Sequence, residues 1–274
     1  MKKKTTYLSL PYSFWLAVFT IIPMIIVIFY AFTDGDGNFT IENFTGMSAY
    51  AVVFWRSFKL AVLSTVICLI LGYPMAYAMS KLSHRGQTIA MMLVMIPMWM
   101  NFLLRTYAWL TILENTGLLN TLLEALHLPT LSIINTPVAV GLGMVYNYLP
   151  FMILPIYTTL TKTDNSLIEA ANDLGATGLQ VFTKVIFPLS IPGVVSGIVM
   201  VFVPAVSTFV ISKILGGGAN MLVGDLIELQ FFGGTYNVNM GAAISLVMMI
   251  LIMAFTWLTG KIDKDDEEGS VLLA

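Results

Sequence analysis

Glu169-Ala170-Ala171-Asn172-Asp173-Leu174-Gly175, followed by Phe187-Pro188, is the stretch on which the reading of this chain turns. It is polar and bounded by turn residues, yet it lies between two apolar runs long enough to cross a bilayer, near 137–160 and 191–215. A spanning segment needs about 20 mostly apolar residues, and four more runs meet that length, near 9–32, 58–80, 89–110 and 239–260. The runs are continuously apolar rather than alternating, so they read as helices and not as barrel strands. Helices also satisfy every backbone group internally, as lipid demands. The fold expected is an all-α integral membrane protein with six transmembrane helices.

Composition agrees. Of 274 residues, 58% are hydrophobic and 10% charged, where soluble domains carry about 25% charged residues. The net charge of -2 gives no basic surface for nucleic acid. Cys68, the single cysteine, sits among Val66, Ile67, Leu69 and Ile70 and reads as a small buried hydrophobe. The N-terminal Lys2-Lys3-Lys4 precedes an apolar run from Tyr7 to Phe32, which is longer than a signal-peptide core and reads as an uncleaved first span.

Lysine and arginine set the orientation. With the N-terminus inside, Lys2, Lys3, Lys4, Lys81, Arg85, Lys162, Lys184, Lys261 and Lys264 are cytoplasmic, against Arg56, Lys59, Arg105 and Lys213 outside. This bias follows the positive-inside rule and places both termini and the 161–190 loop in the cytoplasm. Outside, 33–50 reads as a polar, turn-rich loop. Residues 111–136 carry Leu118, Leu119, Leu122, Leu123 and Leu126 at helical spacing, ending before Pro129. Residues 216–238 predict another short helix through Leu222, Leu226 and Leu229. The organisation expected is a tail, first span and outer loop over 1–56, a core of five spans over 57–260 that includes the 161–190 loop, and an acidic tail over 261–274, solvated and frayed. Pro23, Pro74, Pro97, Pro150, Pro155, Pro192 and Pro204 fall in or beside the spans and invite kinks.

Within the cytoplasmic loop, Ser166 and Glu169 have the spacing of a capping box. Leu167, Ala170, Ala171 and Leu174 share one face, and Gly175 suits a left-handed helix end. Leu179, Phe182 and Ile186 predict a second apolar face, stopped at Pro188. Two short amphipathic helices in an aqueous loop have to pack on the membrane domain, on a partner, or on both.

The spacing of Glu169-Ala170-Ala171, Gly175 and Pro188, with apolar Val185 and Phe187 before the proline, resembles the cytoplasmic signature of ATP-binding-cassette (ABC) importer permeases. Val185 and Phe187 stand where that family often has isoleucine and leucine. The resemblance implies a type I importer permease fold in a bacterial plasma or inner membrane. It implies that the loop docks an ATPase through Ser166, Glu169, Ala170, Ala171, Asp173, Leu174, Gly175 and Pro188. Over most of the chain, Ile96 to Tyr107, Tyr148 to Tyr157 and the Gly216-Gly217-Gly218-Ala219-Asn220 run resemble the B-type permease subunit of spermidine/putrescine importers. That likeness implies an ATPase dimer docked through 161–190, a second homologous permease, and an extracellular or periplasmic polyamine-binding protein. ATP and magnesium would sit on the ATPase and no cofactor on this chain.

A polycation needs carboxylates or aromatic faces along its path. Trp99, Tyr107, Tyr146 and Tyr148 lie near the outer halves of the third and fourth spans, where cation–π contact is available, as does Trp109; aromatic belts are also ordinary at membrane interfaces. Asp225 and Glu228 are the carboxylates nearest to the spans, three apart on the expected outer helix, and a solvated loop is their plainer reading. Asn101 and Asn147 are polar groups at membrane depth and complete the candidate path. Arg105 either snorkels outward or is neutralised within the fold. There is no phosphate-binding glycine loop, no metal-ligand spacing and no nucleophile–base arrangement; His84 and His127 fall on opposite membrane faces. Those absences disfavour an enzyme and place the energy source in a partner chain or in an ion gradient. A permease for another small solute is the alternative within the class. A gradient-driven transporter ordinarily carries a coupling residue and inverted repeats, and neither stands out.

Overall fold

The computed structural model describes residues 11, 12, 14–218, 220–234 and 236–271, with the backbone alone at 165 and from 262 onward. In chain order the helices are α1 (Phe14–Ala31), α2 (Glu42–Ser80), α3 (His84–Trp99), α4 (Phe102–Leu113), α5 (Leu118–Ala125), α6 (Pro137–Lys162), α7 (Asn165–Asp173), α8 (Gly178–Ser207), α9 (Val210–Leu215), α10 (Val223–Phe232) and α11 (Val238–Val271). Among the described residues, extended backbone pairs only at an isolated bridge between Thr33 and Phe39. The regular structure among the described residues is otherwise helical, as the apolar runs require.

Among the described residues, five helices are long and apolar enough to cross a membrane: α1, α2, α6, α8 and the Val238–Lys261 part of α11. Helix α3 and the Phe102–Ala125 segment, which holds α4 and α5, make a sixth only when counted as one crossing, because the pair is bent by 89°. The expected straight span over 89–110 is therefore corrected to two half-length helices. Pro97 denies the last turn of α3 a backbone donor, and Met100 leaves the helix in an extended conformation. Asn101 then starts α4 as its N-cap, with Oδ1 accepting from Leu103 N at 2.8 Å and Leu104 N at 3.3 Å.

The expected span over 191–215 is also corrected. It begins earlier, at Gly178, and stops at Ser207, with α9 separated by the extended residue Thr208. The carbonyls freed at this break lie against Gly224: a Cβ there would meet Thr208 O at 2.5 Å and Ser207 O at 2.6 Å, so only glycine fits. The first span begins at Phe14, and residues 9 and 10 lie outside the described ones. The short outer helices predicted from their leucines are α5 and α10. At the C-terminus the backbone stays helical to Val271, where fraying was expected; the side chains of the acidic tail lie outside the described residues.

Proline shapes two of the spans in the same way. In α1 and α8 a π-turn, Ala17–Ile21 and Phe182–Ile186, ends two residues before Pro23 and Pro188. Ile22 N reaches back to Ala17 O, and Phe187 N to Phe182 O, five residues rather than four. The wider turn relieves the clash of the pyrrolidine ring with the preceding carbonyls. Pro188 consequently does not stop its helix, contrary to the sequence expectation; cytoplasmic residues and membrane span form one rod.

The chain divides into two compact units. In the first, the described residues up to 52 join Leu226–Met253. Ala31, Ala242, Ala243 and Leu246 form its buried core, and Asn239 Nδ2 donates to Thr33 O at 2.7 Å and to Tyr30 O at 3.1 Å, satisfying carbonyls at the end of α1. In the second unit, Val53–Asp225 with the chain from Ala254 onward, α6 is central. Gly193 and Gly197 let α8 approach it, since a Cβ on Gly193 would meet Pro155 O at 2.8 Å and one on Gly197 would meet Met152 Sδ at 2.7 Å. Close approach through small residues is how membrane helices gain packing where lipid removes the hydrophobic drive. Cys68 is fully buried, with Sγ 3.7 Å from Val145 O.

Candidate functional site

The cytoplasmic loop folds as expected into a short helix, but its start is set by a different residue. Asp164, not Ser166, is the N-cap of α7: its Oδ1 accepts from Ser166 N at 2.9 Å. Chiefly through that backbone hydrogen bond, its carboxyl is held below the usual carboxylate range. Glu169 is exposed and does not close a box with Ser166. The reciprocal pair forms one helix later, where Gln180 Oε1 accepts from Thr177 N at 2.8 Å at the start of α8.

The end of α7 is as predicted. Gly175 has φ of +80°, Gly175 N donates to Asn172 O at 2.9 Å and Ala176 N to Ala171 O at 3.0 Å. This double bond pattern is a Schellman end, which only glycine enters without strain. Nothing lies within 4 Å of where its Cβ would stand, so the constraint is conformational and the surface above it is open.

The two apolar faces differ in what covers them. Phe182 packs edge-on against Tyr73 and Tyr77, with ring centroids 5.9 and 5.6 Å apart, and Ile186 is buried. Tyr73 OH lies 2.8 Å from Ser190 Oγ, joining α2 to α8. Leu167, Leu174 and Leu179, by contrast, are 48%, 89% and 74% exposed. Leu179, in the first turn of α8 ahead of the π-turn, therefore parts from Phe182 and Ile186, with which the sequence grouped it. Beneath α7 a cavity of about 150 Å³ separates it from the ends of α2, α3 and α6, lined by Tyr77, Lys81, Gln87, Thr161 and Ile168 among others. Leu167 on α7 and Leu174 just past its end are turned outward, while Ile168 is half-buried. Ala170 and Asp173 are exposed and Ala171 half-buried, while Pro188 lies in the first turn after the π-segment.

The candidate path residues scatter. Trp99 is 78% exposed at the α3–α4 bend, and Tyr107 is exposed on α4. Asn101 is committed to capping α4. Tyr146 is exposed and meets Trp109 edge-on at 5.4 Å. Asn147 is 1% exposed, with Nδ2 donating to Gly143 O at 2.8 Å. Tyr148 is buried and its hydroxyl donates to Pro204 O at 3.3 Å. Asp225 is buried at the start of α10, where Oδ2 accepts from Leu222 N at 2.8 Å, and Glu228 is half-buried on the same helix. Arg105 is buried and does not snorkel; its Nε and Nη1 meet no acceptor. Residues that sequence reading passed over include Asp164, whose position two before Ser166 was a usable capping signal, and Tyr73 and Ser190, which are 117 residues apart and gave no local signal.

Residues 68–265 match the family described as "Binding-protein-dependent transport system inner membrane component". Among characterised relatives, the chain is 38% identical over 266 residues to "Spermidine/putrescine transport system permease protein PotB" of Haemophilus influenzae, covering 91% of this chain and 93% of that protein. It is 34% identical to the protein of the same name from Escherichia coli K12, over 91% and 97%. A bacterial ABC transporter importing the acidic polysaccharide alginate superposes with a TM-score of 0.77 at 16% identity, over 96% of both chains. The methionine ABC transporter, in an inward-facing form, superposes with a TM-score of 0.59, over 79% of this chain and 95% of that one. The last two likenesses carry the fold alone.

Proposed function

The chain belongs to the binding-protein-dependent transport system inner membrane component family, and from that premise we propose that it is the polyamine-translocating permease subunit of an ATP-driven importer. The observation that carries the substrate class is the 38% identity, over nine-tenths of both chains, to a spermidine/putrescine permease. The mechanism rests on the loop: a capped helix ended by Gly175 presents Leu167 and Leu174, with Leu179 beyond, in an otherwise polar segment. Apolar side chains held outward on a short rigid helix call for a protein cleft.

An ATPase dimer occupies that face. ATP binding closes the dimer and moves α7; α8, which runs from the loop into the membrane without interruption past Pro188, carries the movement inward. The ATPase holds ATP and magnesium, so this chain performs no hydrolysis itself. A second, homologous permease completes the path, and a binding protein delivers the substrate from outside. Trp99, Tyr107 and Tyr146 offer exposed ring faces to an ammonium group; Asp225 and Glu228 bring carboxylates, and Asn147 and Tyr148 line the helix behind.

The test is ATP-dependent uptake of labelled spermidine and putrescine by liposomes holding the two permeases and the ATPase, with the binding protein added. Leu174→Asp should abolish co-purification of the ATPase and uptake together. Uptake that persists without the ATPase would overturn the mechanism, and ATP-driven uptake of neither polyamine would move the substrate to another small solute.

A further inference from the structure

In the unit formed by Val53–Asp225 and the chain from Ala254 onward, two buried side chains carry complementary, unmet hydrogen-bonding groups. Arg105 is 8% exposed and its Nε and Nη1, which only donate, meet no acceptor. Asn147 keeps its Nδ2 on Gly143 O, while its Oδ1, which only accepts, meets no donor. These atoms are walled off from solvent, so neither water nor a neighbouring chain reaches them without a rearrangement of this one. A buried polar group left unmet, and a buried charge above all, is costly. A conformation that joins them is favoured by that cost.

The helices that carry them already touch. Trp109, one turn beyond Arg105 on α4, meets Tyr146, the neighbour of Asn147 on α6. A hinge is also at hand: the 89° break at Met100–Asn101 lies four residues before Arg105, so α4 can pivot without dragging α3. Asp225, the other buried acceptor to consider, accepts from Leu222 N through Oδ2 and is engaged further by contacts of its own.

We propose that Arg105 and Asn147 are the two halves of a latch, a hydrogen bond made in another state of the transport cycle when α4 pivots about Met100–Asn101 and broken in the state described above. Arg105 is a positioning residue acting through Asn147, and it touches no substrate. The latch rests on the transport reading of the chain, yet it is readable without transport.

The experiment uses the whole complex, both permeases with the ATPase, in nanodiscs. A pair of cysteines at 105 and 147, in a Cys68→Ser background, should cross-link several-fold more in one nucleotide state than in the other; equal yields in all states overturn the latch. In liposomes, Arg105→Gln and Asn147→Leu should each lower uptake about tenfold, and the double variant no further, because paired residues are non-additive. Losses that multiply overturn it, as does non-additivity of Arg105→Gln with Asp225→Asn instead. Arg105→Lys keeps charge and a donor and should recover part of the uptake. Asn147→Asp should hold the latch shut by pairing charge with charge, reducing uptake while the ATPase still co-purifies; unchanged uptake overturns it. If wild-type complex transports no polyamine while cross-linking still tracks nucleotide, the substrate reading fails and the latch stands.

Discussion

The phenol of Tyr73 on α2 donates to Ser190 Oγ on α8 across 2.8 Å, and the direction is fixed because Ser190 gives its own proton to Phe187 O at 2.7 Å. The bond lies one turn beyond the π-segment, beside the rings of Phe182 and Phe187, both within 6 Å of Tyr73. It therefore clamps the root of the 161–190 loop to α2. Tyr73→Phe and Ser190→Ala should each cost about 1 kcal/mol, and the double variant little more. Tyr73→Ala removes the ring contacts too and should cost about 3–5 kcal/mol. Thermal unfolding in detergent measures all four.

Asp164 offers a second test. Asp164→Ala should weaken α7, with Asp164→Asn or Asp164→Ser nearly neutral, and Ser166→Ala without effect. Hydrogen exchange at the Ser166 amide reads it directly. Because the Asp164 carboxyl titrates lower in the folded chain than when unfolded, its contribution is complete at neutral pH. It is lost only as pH falls through the folded value. Docking that varied through the neutral range would point to a different group.

Gly175→Ala should cost about 1–2 kcal/mol through its left-handed backbone alone, since open space surrounds the site. Gly175→Asn should cost less, because asparagine tolerates that conformation. Co-purification of the ATPase should fall in the same order.

Gly193→Val tests the packing of α8 on α6. A branched side chain would drive into Pro155 O and Thr159, so a loss of at least about 1–3 kcal/mol is expected. It should appear as a lower yield of folded protein in membranes; Gly141→Ala, at an open position of the same helix α6, is the control that should leave yield unchanged.

The spans were legible because about twenty apolar residues in a row admit few other structures. The 161–190 loop was legible because Gly175 and the leucines around it obey local rules. The breaks were not. Met100 and Phe209 are as apolar as their neighbours, so hydropathy runs straight through both. What ends the helices there is Pro97 with the Asn101 cap in one case, and the approach of Gly224 to the carbonyls of Ser207 and Thr208 in the other. The cap at Asp164 was hidden because Ser166 and Glu169 have the spacing of a capping box, while Asp164, two residues earlier, is an equally good cap by residue type. Burial of Arg105 depends on how α4 meets α6, and no spacing along the chain encodes that.

The α3–α4 bend has a consequence for how the protein is made. With 16 and 12 residues, the halves are only about 24 and 18 Å long, short of a hydrocarbon core about 30 Å thick. During synthesis neither half is a finished stop in the bilayer, and the two must partition from the insertion machinery as one piece. Every later segment inherits its sidedness from that event. Were α3 to enter and turn back without α4, residues 161–190 would be delivered to the compartment that holds no ATP.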